Sequence, residues 1–218
     1  MKKAVVLLSG GLDSAVTLYY AKKSGYKCLC LSFDYGQRHL KELICARALA
    51  KVAGAEFRLI KFSMPWKGSA LLDRKIRVTS HRSPVTGIPN TYVPARNIIF
   101  LSFALSCAEA MGAKKIFIGA HSQDYSGYPD CRPEFYKAFS QVVKTGTKAG
   151  VENNPIKIET PLLYKFKSDI IKMGVALKVP FELTWSCYNG GTHPCGKCDS
   201  CCFRQKGFKE AGFPDPAI

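Results

Sequence analysis

The sequence predicts an α/β protein in which a parallel five-stranded sheet carries helices on both faces. Short apolar runs typical of buried parallel strands alternate with longer stretches of helical periodicity. With 218 residues, the chain can bury one sizeable core. A cysteine-rich tail predicts a further, small C-terminal lobe that is held by a metal ion. We therefore expect a main domain at residues 1–180 and a metal-binding lobe, packed on it, at residues 181–218.

The strands and helices are predicted in alternating order along the chain. Strands are expected at residues 3–8, 27–33, 56–62, 114–120 and 156–160, which are short and apolar. Helices are expected at residues 14–22, 42–52, 96–111, 133–144, 168–177 and 201–211, on apolar spacing and on Pro or Gly at their ends. Residues 63–94 lack either pattern and are rich in Pro, Gly, Ser and basic residues, which predicts a long irregular insertion.

Composition limits the classes of function. No apolar run reaches the roughly 18 residues of a membrane-crossing helix, and the apolar start is interrupted at once by Ser9, Gly10 and Gly11. We therefore expect a cytoplasmic protein without a membrane partner. Basic residues outnumber acidic ones 32 to 16, for a formal charge of +16, which favours anionic ligands such as nucleotides and carboxylates. They are scattered along the chain, so no stable nucleic-acid complex is expected, although RNA stays open as an alternative.

A glycine loop, Ser9-Gly10-Gly11-Leu12-Asp13-Ser14, lies between the first strand and the first helix. Backbone N–H groups and the helix dipole make such a loop an anion site, and its glycines let phosphate oxygens approach closely. The spacing matches neither the phosphate loop of kinases and GTPases nor the dinucleotide fingerprint. The simpler alternative is a tight turn whose helix is capped by Ser14.

The glycine loop resembles the Ser-Gly-Gly-x-Asp-Ser signature of the ATP pyrophosphatases, which transfer AMP from ATP to a substrate oxygen. The resemblance implies ATP as a ligand, with Asp13 holding Mg²⁺ between the phosphates. The predicted ATP-binding segment comprises Leu8, Ser9, Gly10, Gly11, Leu12, Asp13, Ser14, Ala15, Val16, Thr17 and Leu18. Two further polar segments, residues 34–39 and 121–132, also follow strands, so all three are expected to meet at the carboxyl edge of the sheet.

Four cysteines in the tail have the spacing of a structural metal site. Cys195, Cys198 and Cys201 form two overlapping Cys-x-x-Cys steps, and Cys187 can complete a tetrahedron. One Zn²⁺ per chain is the expected occupant, since the run lacks the further cysteine and proline of a ferredoxin, although an iron–sulfur cluster stays an alternative. His193 and Cys202 are less favoured ligands, and the cysteines in apolar runs are expected to be core residues: Cys28, Cys30, Cys45 and Cys107.

Four longer motifs resemble the 7-cyano-7-deazaguanine synthase family, the QueC family of the PP-loop ATP pyrophosphatases. They are Phe33-Asp34-Tyr35-Gly36-Gln37-Arg38-His39, Val93-Pro94-Ala95-Arg96-Asn97, Ser126-Gly127-Tyr128-Pro129-Asp130-Cys131-Arg132-Pro133-Glu134-Phe135 and Thr184-Trp185-Ser186-Cys187-Tyr188. The resemblance runs from Ser9 to the Asp215-Pro216 end. It implies the adenine nucleotide alpha hydrolase-like, Rossmann-like fold. It also implies a ligase that converts 7-carboxy-7-deazaguanine, ammonium and ATP to the nitrile preQ0, through an adenylated carboxylate and an adenylated amide, in queuosine or archaeosine biosynthesis.

The resemblance also implies site residues. Asp13 and Lys167 are the expected catalytic residues, with Lys167 neutralising the pyrophosphate, although a solvated lysine at a helix start is the alternative. Asp124, Asp130 and Arg132 are the expected substrate residues, with Asp130 accepting N–H bonds and Arg132 pairing with the carboxylate. The alternative is an ordinary surface loop. Residues 163–166 depart from the usual family pattern just before Lys167. We also expect a homodimer.

Two other functions compete with this interpretation. The first is a PP-loop ATPase that acts directly on tRNA, such as a thiolase. Its excess of basic residues would then bind the phosphates of the tRNA. The second is a zinc-ribbon nucleic-acid-binding module without catalysis. The second leaves the glycine loop and residues 124–132 without a role.

Overall fold

The computed structural model describes residues 2–38, 40–79, 83–121 and 127–217, and its central element is a five-stranded parallel sheet. The strands are β1 (Lys2–Leu7), β2 (Tyr26–Asp34), β3 (Glu56–Lys61), β4 (Lys115–Phe117) and β5 (Lys157–Glu159). They lie in the order β3-β2-β1-β4-β5, and every neighbouring pair is parallel. The predicted fold class is confirmed.

Helices cover both faces of this sheet. They are α1 (Leu12–Lys23), α2 (Lys41–Val52), α3 (Arg96–Ala110), α4 (Pro133–Gly146), α5 (Lys148–Val151), α6 (Lys167–Ala176) and α7 (Asp199–Ala211), with 3-10 turns at Pro129–Cys131 and Phe181–Leu183. Buried residues of α1, α2, α6 and α7 join one core cluster, and those of α3 and α4 join the other. The sheet therefore separates two apolar layers. We call them the α1 layer, which includes α1, α2, α6 and α7, and the α3 layer, which includes α3 and α4.

Strand β1 shows why the predicted strands are continuous apolar runs. Ala4 and Val6 belong to the core cluster on one face, and Val5 and Leu7 belong to the cluster on the other. Successive side chains of a strand point to opposite faces, so a strand covered on both sides must be apolar throughout. The alternation continues in β2, where Cys28 and Cys30 face the α1 layer as core residues.

Several boundaries differ from those predicted. Strand β4 ends at Phe117 rather than at residue 120, and the next residues run along the start of α1, where a Cβ on Gly119 would lie 2.8 Å from the carbonyl oxygen of Asp13. Helix α7 begins at Asp199, two residues early, and the short α5 was not predicted. The described part of residues 63–94 is irregular, as expected, and the Arg38 guanidinium ties it to the end of β2 by donating to the carbonyls of Asp73 and Ile76.

The tail shares the main core. Phe208 and Ala211 of α7 are buried in the α1 layer, and α7 packs along α6. The two parts contact each other extensively. The expected boundary between a main domain and a C-terminal lobe near residue 180 stays a prediction. Within the described residues, no helix combines the length and apolar character needed to cross a membrane.

The strand order places a topological switch at the centre of the sheet. The chain leaves β1 toward β2 on one side, and later enters β4 on the other side of β1. In open parallel sheets, the crevice beyond the carboxyl ends of two such strands is the usual position of a ligand. Here that crevice lies between the glycine loop after β1 and Gly119 to His121 after β4.

Candidate active site

A cavity of about 310 Å³ opens at this switch point. All three segments expected to converge contribute to its lining: Ser9, Asp13 and Ser14 from the glycine loop, Tyr35 and Gln37 after β2, and His121, Tyr128 and Cys131 from the third. The tail adds a fourth wall that the sequence did not indicate, formed by Trp185, Ser186, Tyr188, Ser200, Phe203 and Arg204. The position of this wall depends on the packing of α7 against α6, which local sequence patterns cannot predict.

The glycine loop is held tightly against helix α2. Gly10 has a φ of +91°, and a Cβ at this position would lie 2.0 Å from the carbonyl oxygen of Glu42 and 2.8 Å from the amide nitrogen of Ala46. Both contacts are with backbone, which cannot turn aside. Glycine is therefore required at position 10 for packing and for conformation.

Ser14 shapes the loop from inside the first turn of α1. Its hydroxyl donates to the carbonyl of Gly11 at 2.9 Å and accepts from the amide of Ser9 at 3.2 Å. The N-cap position is Gly11, which offers no side-chain hydrogen bond to the helix. The alternative in which Ser14 caps α1 is thus not the arrangement observed, and the N-terminus of α1 keeps its character as an anion site.

The predicted ATP-binding segment divides into two parts. Its first part lines the cavity through Leu8, Ser9, Gly11, Leu12, Asp13 and Ser14. Its second part, Ala15, Val16, Thr17 and Leu18, is fully buried in α1. Thr17 donates its hydroxyl to the carbonyl of Asp13 at 2.9 Å and thereby steadies the first turn that carries the carboxylate.

Asp13 and Lys167, the two expected catalytic residues, meet in the cavity. Lys167 Nζ donates to the two carboxylate oxygens of Asp13 at 2.8 and 2.9 Å and lies 3.0 Å from Nε2 of His121. The Lys167 side chain is 13% exposed, so it is not a solvated lysine. Burial alone would raise the pKa of Asp13, but Lys167 and His121 hold it below its usual value.

Two glycines make room for this cluster. A Cβ on Gly119 would lie 2.8 Å from the Asp13 carbonyl oxygen and 2.9 Å from Oγ1 of Thr17. A Cβ on Gly207 would lie 2.4 Å from Cγ of Lys167 and 3.0 Å from Cδ1 of Ile171. Helix α7 therefore presses on the stem of Lys167 and directs its ammonium toward Asp13.

A second polar group lines the same cavity. Arg96, at the start of α3, donates to the hydroxyl of Tyr35 at 3.3 Å. Glu42 also lines the cavity, and burial raises its pKa to about 7, although the charge of Arg96 opposes the rise. Tyr128 and Tyr188 lie beside them in the lining.

Only some of the predicted substrate residues lie in this site. Asp130 is 5% exposed, and its carboxylate accepts from the amide of Asn97 at 3.0 Å, so it caps α3 rather than lining the cavity. The side chain of Arg132 is exposed and contributes nothing to the described lining. Asp124 lies outside the described residues. Cys131 does line the cavity, and its sulfur accepts from the Asn97 side chain at 3.3 Å.

Glu42 and His121 are cavity residues to which the sequence assigned no role. His121 lies four residues after the end of β4, in one of the expected convergent segments, so its position was the available signal. Glu42 reads only as an acidic residue in the first turn of α2, which is favourable in any helix. Nothing in the local pattern distinguishes it from such a residue.

The four predicted metal ligands form a single cluster. The sulfur atoms of Cys187, Cys195, Cys198 and Cys201 all lie within 4.8 Å of one another. A tetrahedral site with metal–sulfur distances of about 2.3 Å has edges of roughly 3.8 Å, so these residues fit a bound ion. Cys202 and His193 are exposed and stand outside the cluster.

Backbone amides favour the thiolate form of Cys195. The amides of Lys197 and Cys198 donate to the sulfur of Cys195 at 3.5 and 3.4 Å. Burial raises the pKa of Cys195, but these hydrogen bonds and its neighbours Cys187 and Asn189 lower it to about 6. Burial instead raises the pKa of the Cys198 and Cys201 thiols, so a bound ion would displace protons from them.

The cysteine cluster is linked to the cavity by short contacts. The amide of Trp185 donates to the carbonyl of Gly10 at 3.0 Å. Lys41 lies 3.8 Å from the centre of the Trp185 ring and donates to the carbonyls of Gly191 and Thr192. Folding around the cysteines therefore positions residues that touch the glycine loop.

Arg204 holds the tail in place from α7. Its guanidinium donates to both carboxylate oxygens of Asp215 at 2.7 and 2.8 Å, and to the hydroxyl of Thr184 at 2.7 Å. It is 5% exposed and also lines the cavity. This bidentate pair fixes the wall that the tail contributes.

Comparison with known proteins places these features in one family. The family model described as "Queuosine biosynthesis protein QueC" matches residues 3–212. The 7-cyano-7-deazaguanine synthase of Clostridium kluyveri is 54% identical over 219 residues, which cover 99% of this chain and 97% of that protein. The 7-cyano-7-deazaguanine synthase of Thermoplasma volcanium is 51% identical over 217 residues, with coverages of 99% and 90%.

A solved structure supports the fold. The crystal structure of a 4-thiouridine synthetase–RNA complex with bound ATP matches 97% of this chain and 50% of its own, with a TM-score of 0.53 and 20% sequence identity. At this identity, the likeness concerns the fold alone.

Proposed function

The chain belongs to the queuosine biosynthesis protein QueC family, and we propose that it is an ATP-dependent 7-cyano-7-deazaguanine synthase. The observation that carries the proposal is the match over nearly the whole chain to relatives bearing that name. The cavity supports it, because an anion site and an aromatic, partly apolar chamber share one opening. This combination suits a nucleotide and a flat heterocyclic substrate.

The proposed reaction has two activations. The carboxylate oxygen of 7-carboxy-7-deazaguanine attacks the α-phosphorus of ATP and releases pyrophosphate. Ammonia then displaces AMP, and with loss of a proton this gives the amide. The amide oxygen attacks a second ATP, again releasing pyrophosphate, and the nitrogen loses one proton. Elimination of AMP together with the last N–H proton leaves the nitrile. One glycine loop can serve both activations, because each transfers AMP to an oxygen at the same carbon.

Asp13 and Lys167 are the proposed catalytic residues. Residues 9–14 bind the phosphates through backbone N–H groups and the N-terminus of α1. Asp13 is the carboxylate at the glycine loop and is the residue that would hold Mg²⁺, which commonly binds one or two carboxylates together with substrate phosphates and would neutralise their charge. Lys167, 2.8 Å from Asp13, is positioned to stabilise the pyrophosphate as it leaves.

The structure changes the proposed substrate contacts. Arg96 lines the cavity while Arg132 does not, so we now assign the carboxylate to Arg96. Asp130 acts on this contact indirectly, because its carboxylate caps the helix that begins at Arg96. Asp124 remains a proposed substrate residue from the family resemblance.

The remaining proposals concern the metal, the assembly and the location. Cys187, Cys195, Cys198 and Cys201 would hold one Zn²⁺ with four thiolates, which leaves no open position and gives it a structural role. We also propose a cytoplasmic homodimer that acts on small molecules and forms no stable complex with nucleic acid.

Mass spectrometry tests the proposed function directly. Purified protein with ATP, Mg²⁺, ammonium and 7-carboxy-7-deazaguanine is expected to form 7-cyano-7-deazaguanine, and each omission should abolish the product. The same protein is then incubated with ATP and unmodified tRNA over a series of salt concentrations. Absence of the nitrile, together with ATP turnover and a modified base on tRNA, would replace this proposal by the tRNA-acting alternative.

A further inference from the structure

Glu42 is a carboxylate that the proposed reaction leaves without a role. It lies in the first turn of α2, where its own carbonyl oxygen packs against Gly10, so its backbone is fixed beside the glycine loop. Its side chain lines the cavity. Within the described residues, Glu42 interacts electrostatically with Arg96, but its carboxylate accepts no hydrogen bond.

A carboxylate in such a position is costly unless something donates to it. Glu42 is half-buried, and the partial loss of hydration raises the pKa of its carboxyl group to about 7. Arg96 directs its Nη1 hydrogen bond to Tyr35 instead. The remaining donors must therefore come from water or from a ligand in the cavity.

The walls around Glu42 define the shape of such a ligand. Four aromatic side chains line the same cavity: Tyr35, Tyr128, Tyr188 and Trp185. The charge of Glu42 contributes to the raised pKa values of Tyr35 and Tyr188. Aromatic walls favour a flat ring. A negative charge at the Glu42 side chain disfavours a phosphate or carboxylate group there and favours a ring edge that carries N–H donors.

Two parallel donors match the two oxygens of a carboxylate. A 2-amino-4-oxopyrimidine ring, the edge found in guanine, presents its ring N–H beside its exocyclic amine. These two N–H groups can bond both oxygens in the bidentate manner of a guanidinium. A ring without the amine offers one donor and leaves the second oxygen unpaired.

We propose that Glu42 binds the ring N–H and the 2-amino group of the substrate and so makes the cavity specific for a guanine-type base. This inference rests on the proposed function for the identity of the substrate. It places the two ends of the substrate on two residues, with the N–H edge on Glu42 and the carboxylate on Arg96. Glu42 is thus a specificity residue, and it takes no part in bond making.

Steady-state kinetics with two substrates tests the role. The substrates are 7-carboxy-7-deazaguanine and its analogue without the 2-amino group, and the proteins are wild type, Glu42→Gln, Glu42→Asp and the control Glu210→Gln. Glu210 is 49% exposed on α7 in an ion pair with Lys206, so its variant changes the charge equally at a distance. Circular dichroism and thermal unfolding confirm that each variant is folded.

Wild type is expected to prefer the guanine-type substrate in kcat/KM by about 100-fold, since the missing donor leaves a buried oxygen unpaired. Glu42→Gln should raise KM for that substrate about 10- to 100-fold with little change in kcat, and should remove most of the preference. Glu42→Asp keeps the charge and should retain part of the preference. A lower kcat with unchanged KM and unchanged preference in Glu42→Gln would overturn the inference.

Direct binding separates this inference from the proposed function. Calorimetry with 7-deazaguanine, which has the N–H edge but no carboxylate, should show binding to wild type and at least 10-fold weaker binding to Glu42→Gln. Equal binding by both proteins, in an enzyme that still forms the nitrile, would refute the role of Glu42 alone. Selective binding by a wild type that forms no nitrile would refute the proposed function alone.

Discussion

Lys167 Nζ lies 2.8 and 2.9 Å from the two carboxylate oxygens of Asp13, although 154 positions separate the residues in the chain. Asp13 lies in the first turn of α1, and Lys167 is the first residue of α6. The pair therefore joins the starts of two helices at the switch point of the sheet. Both N-termini carry a partial positive charge, and with Lys167 they make this end of the cavity suited to a polyanion.

Replacement of Asp13 is expected to remove activity and some stability. Asp13→Asn should lower kcat/KM about 100- to 1,000-fold, because it removes the charge at the glycine loop. It should also lower the free energy of unfolding by about 1 to 3 kcal/mol, because Lys167 loses its carboxylate partner. The control is Asp169→Asn, which removes an exposed charge from the first turn of α6. Equal activities of the two variants would refute the role of Asp13.

Gly207 of α7 does not line the cavity, but it should control the position of Lys167. Gly207→Ala places a methyl group 2.4 Å from Lys167 Cγ, so the side chain must move. We expect about a 10-fold or greater loss in kcat/KM, since displacement of a catalytic group by about 1 Å can cost 100-fold. Gly146→Ala in α4 is the control, because a Cβ there has no atom within 4 Å. Full activity of Gly207→Ala would show that Lys167 tolerates displacement.

The two glycines of the loop should respond differently to alanine. Gly10→Ala meets the backbone of α2 at 2.0 Å and a φ of +91°, so we expect little folded protein. At Gly11 the nearest atom to a new Cβ is Oγ of Ser9 at 3.3 Å, which can rotate. Gly11→Ala should therefore fold and bind ATP more weakly. Expression, thermal unfolding and ATP titration distinguish the two; a stable, ATP-binding Gly10→Ala protein would contradict the packing described here.

The cysteine cluster should bind one zinc ion that the tail needs. Cys198→Ser is expected to lose the metal and to lower both stability and activity, because Trp185 contacts Gly10 from this segment. Elemental analysis should give about one zinc per wild-type chain. Cys202→Ser, at the adjacent exposed position, should keep the metal and serve as the control. Iron and sulfide in a brown protein would instead establish a cluster.

Glu42 should make stability depend on pH. Its pKa is about 7 in the folded protein and 4.5 in the reference state, so the folded protein holds the proton more tightly and loses stability as pH rises between these values. Glu42→Gln should therefore be more stable than wild type at pH 8, by about 1 to 3 kcal/mol or several degrees in Tm, and similar at pH 4. Thermal unfolding at both pH values measures the difference. A constant difference would contradict the assignment.

The groups facing Glu42 allow a simple interpretation of that experiment. Arg96 keeps its charge throughout, because its neighbours raise its pKa despite burial. The pKa values of Tyr35, Tyr188 and Cys45 are raised, chiefly by burial, so these groups stay neutral below pH 8. Only Glu42 in this group changes charge over the tested range.

Local patterns predicted the elements of the fold and one complete site. The buried strands show as apolar runs because both sheet faces are covered, and the four cysteines show as a metal cluster because three of them share a short segment. The meeting of three segments followed from the parallel sheet. These features depend on contacts near in sequence or on a rule of topology.

Contacts between segments that are distant in the chain could not be predicted from local sequence patterns. Asp130 was expected to face a ligand, but it caps α3 through Asn97, 33 positions away, and a carboxylate at a helix start has the same sequence signature as one in a site. Glu42 shows the converse, since an ordinary helix-start residue lines the cavity. The wall formed by the tail depends on the packing of α7 against α6, which involves residues about 40 positions apart.

The ion pair between Arg204 and Asp215 has a consequence for folding during synthesis of the chain. The glycine loop is translated first, but Lys167, the cysteines, Arg204 and Asp215 follow much later. A nascent chain therefore carries an incomplete cavity until residues 167–215 have left the ribosome. Partial chains should expose the α1 layer that α7 covers and depend on chaperones during that interval. We therefore expect the proposed ATP turnover only from chains that contain residues 167–215.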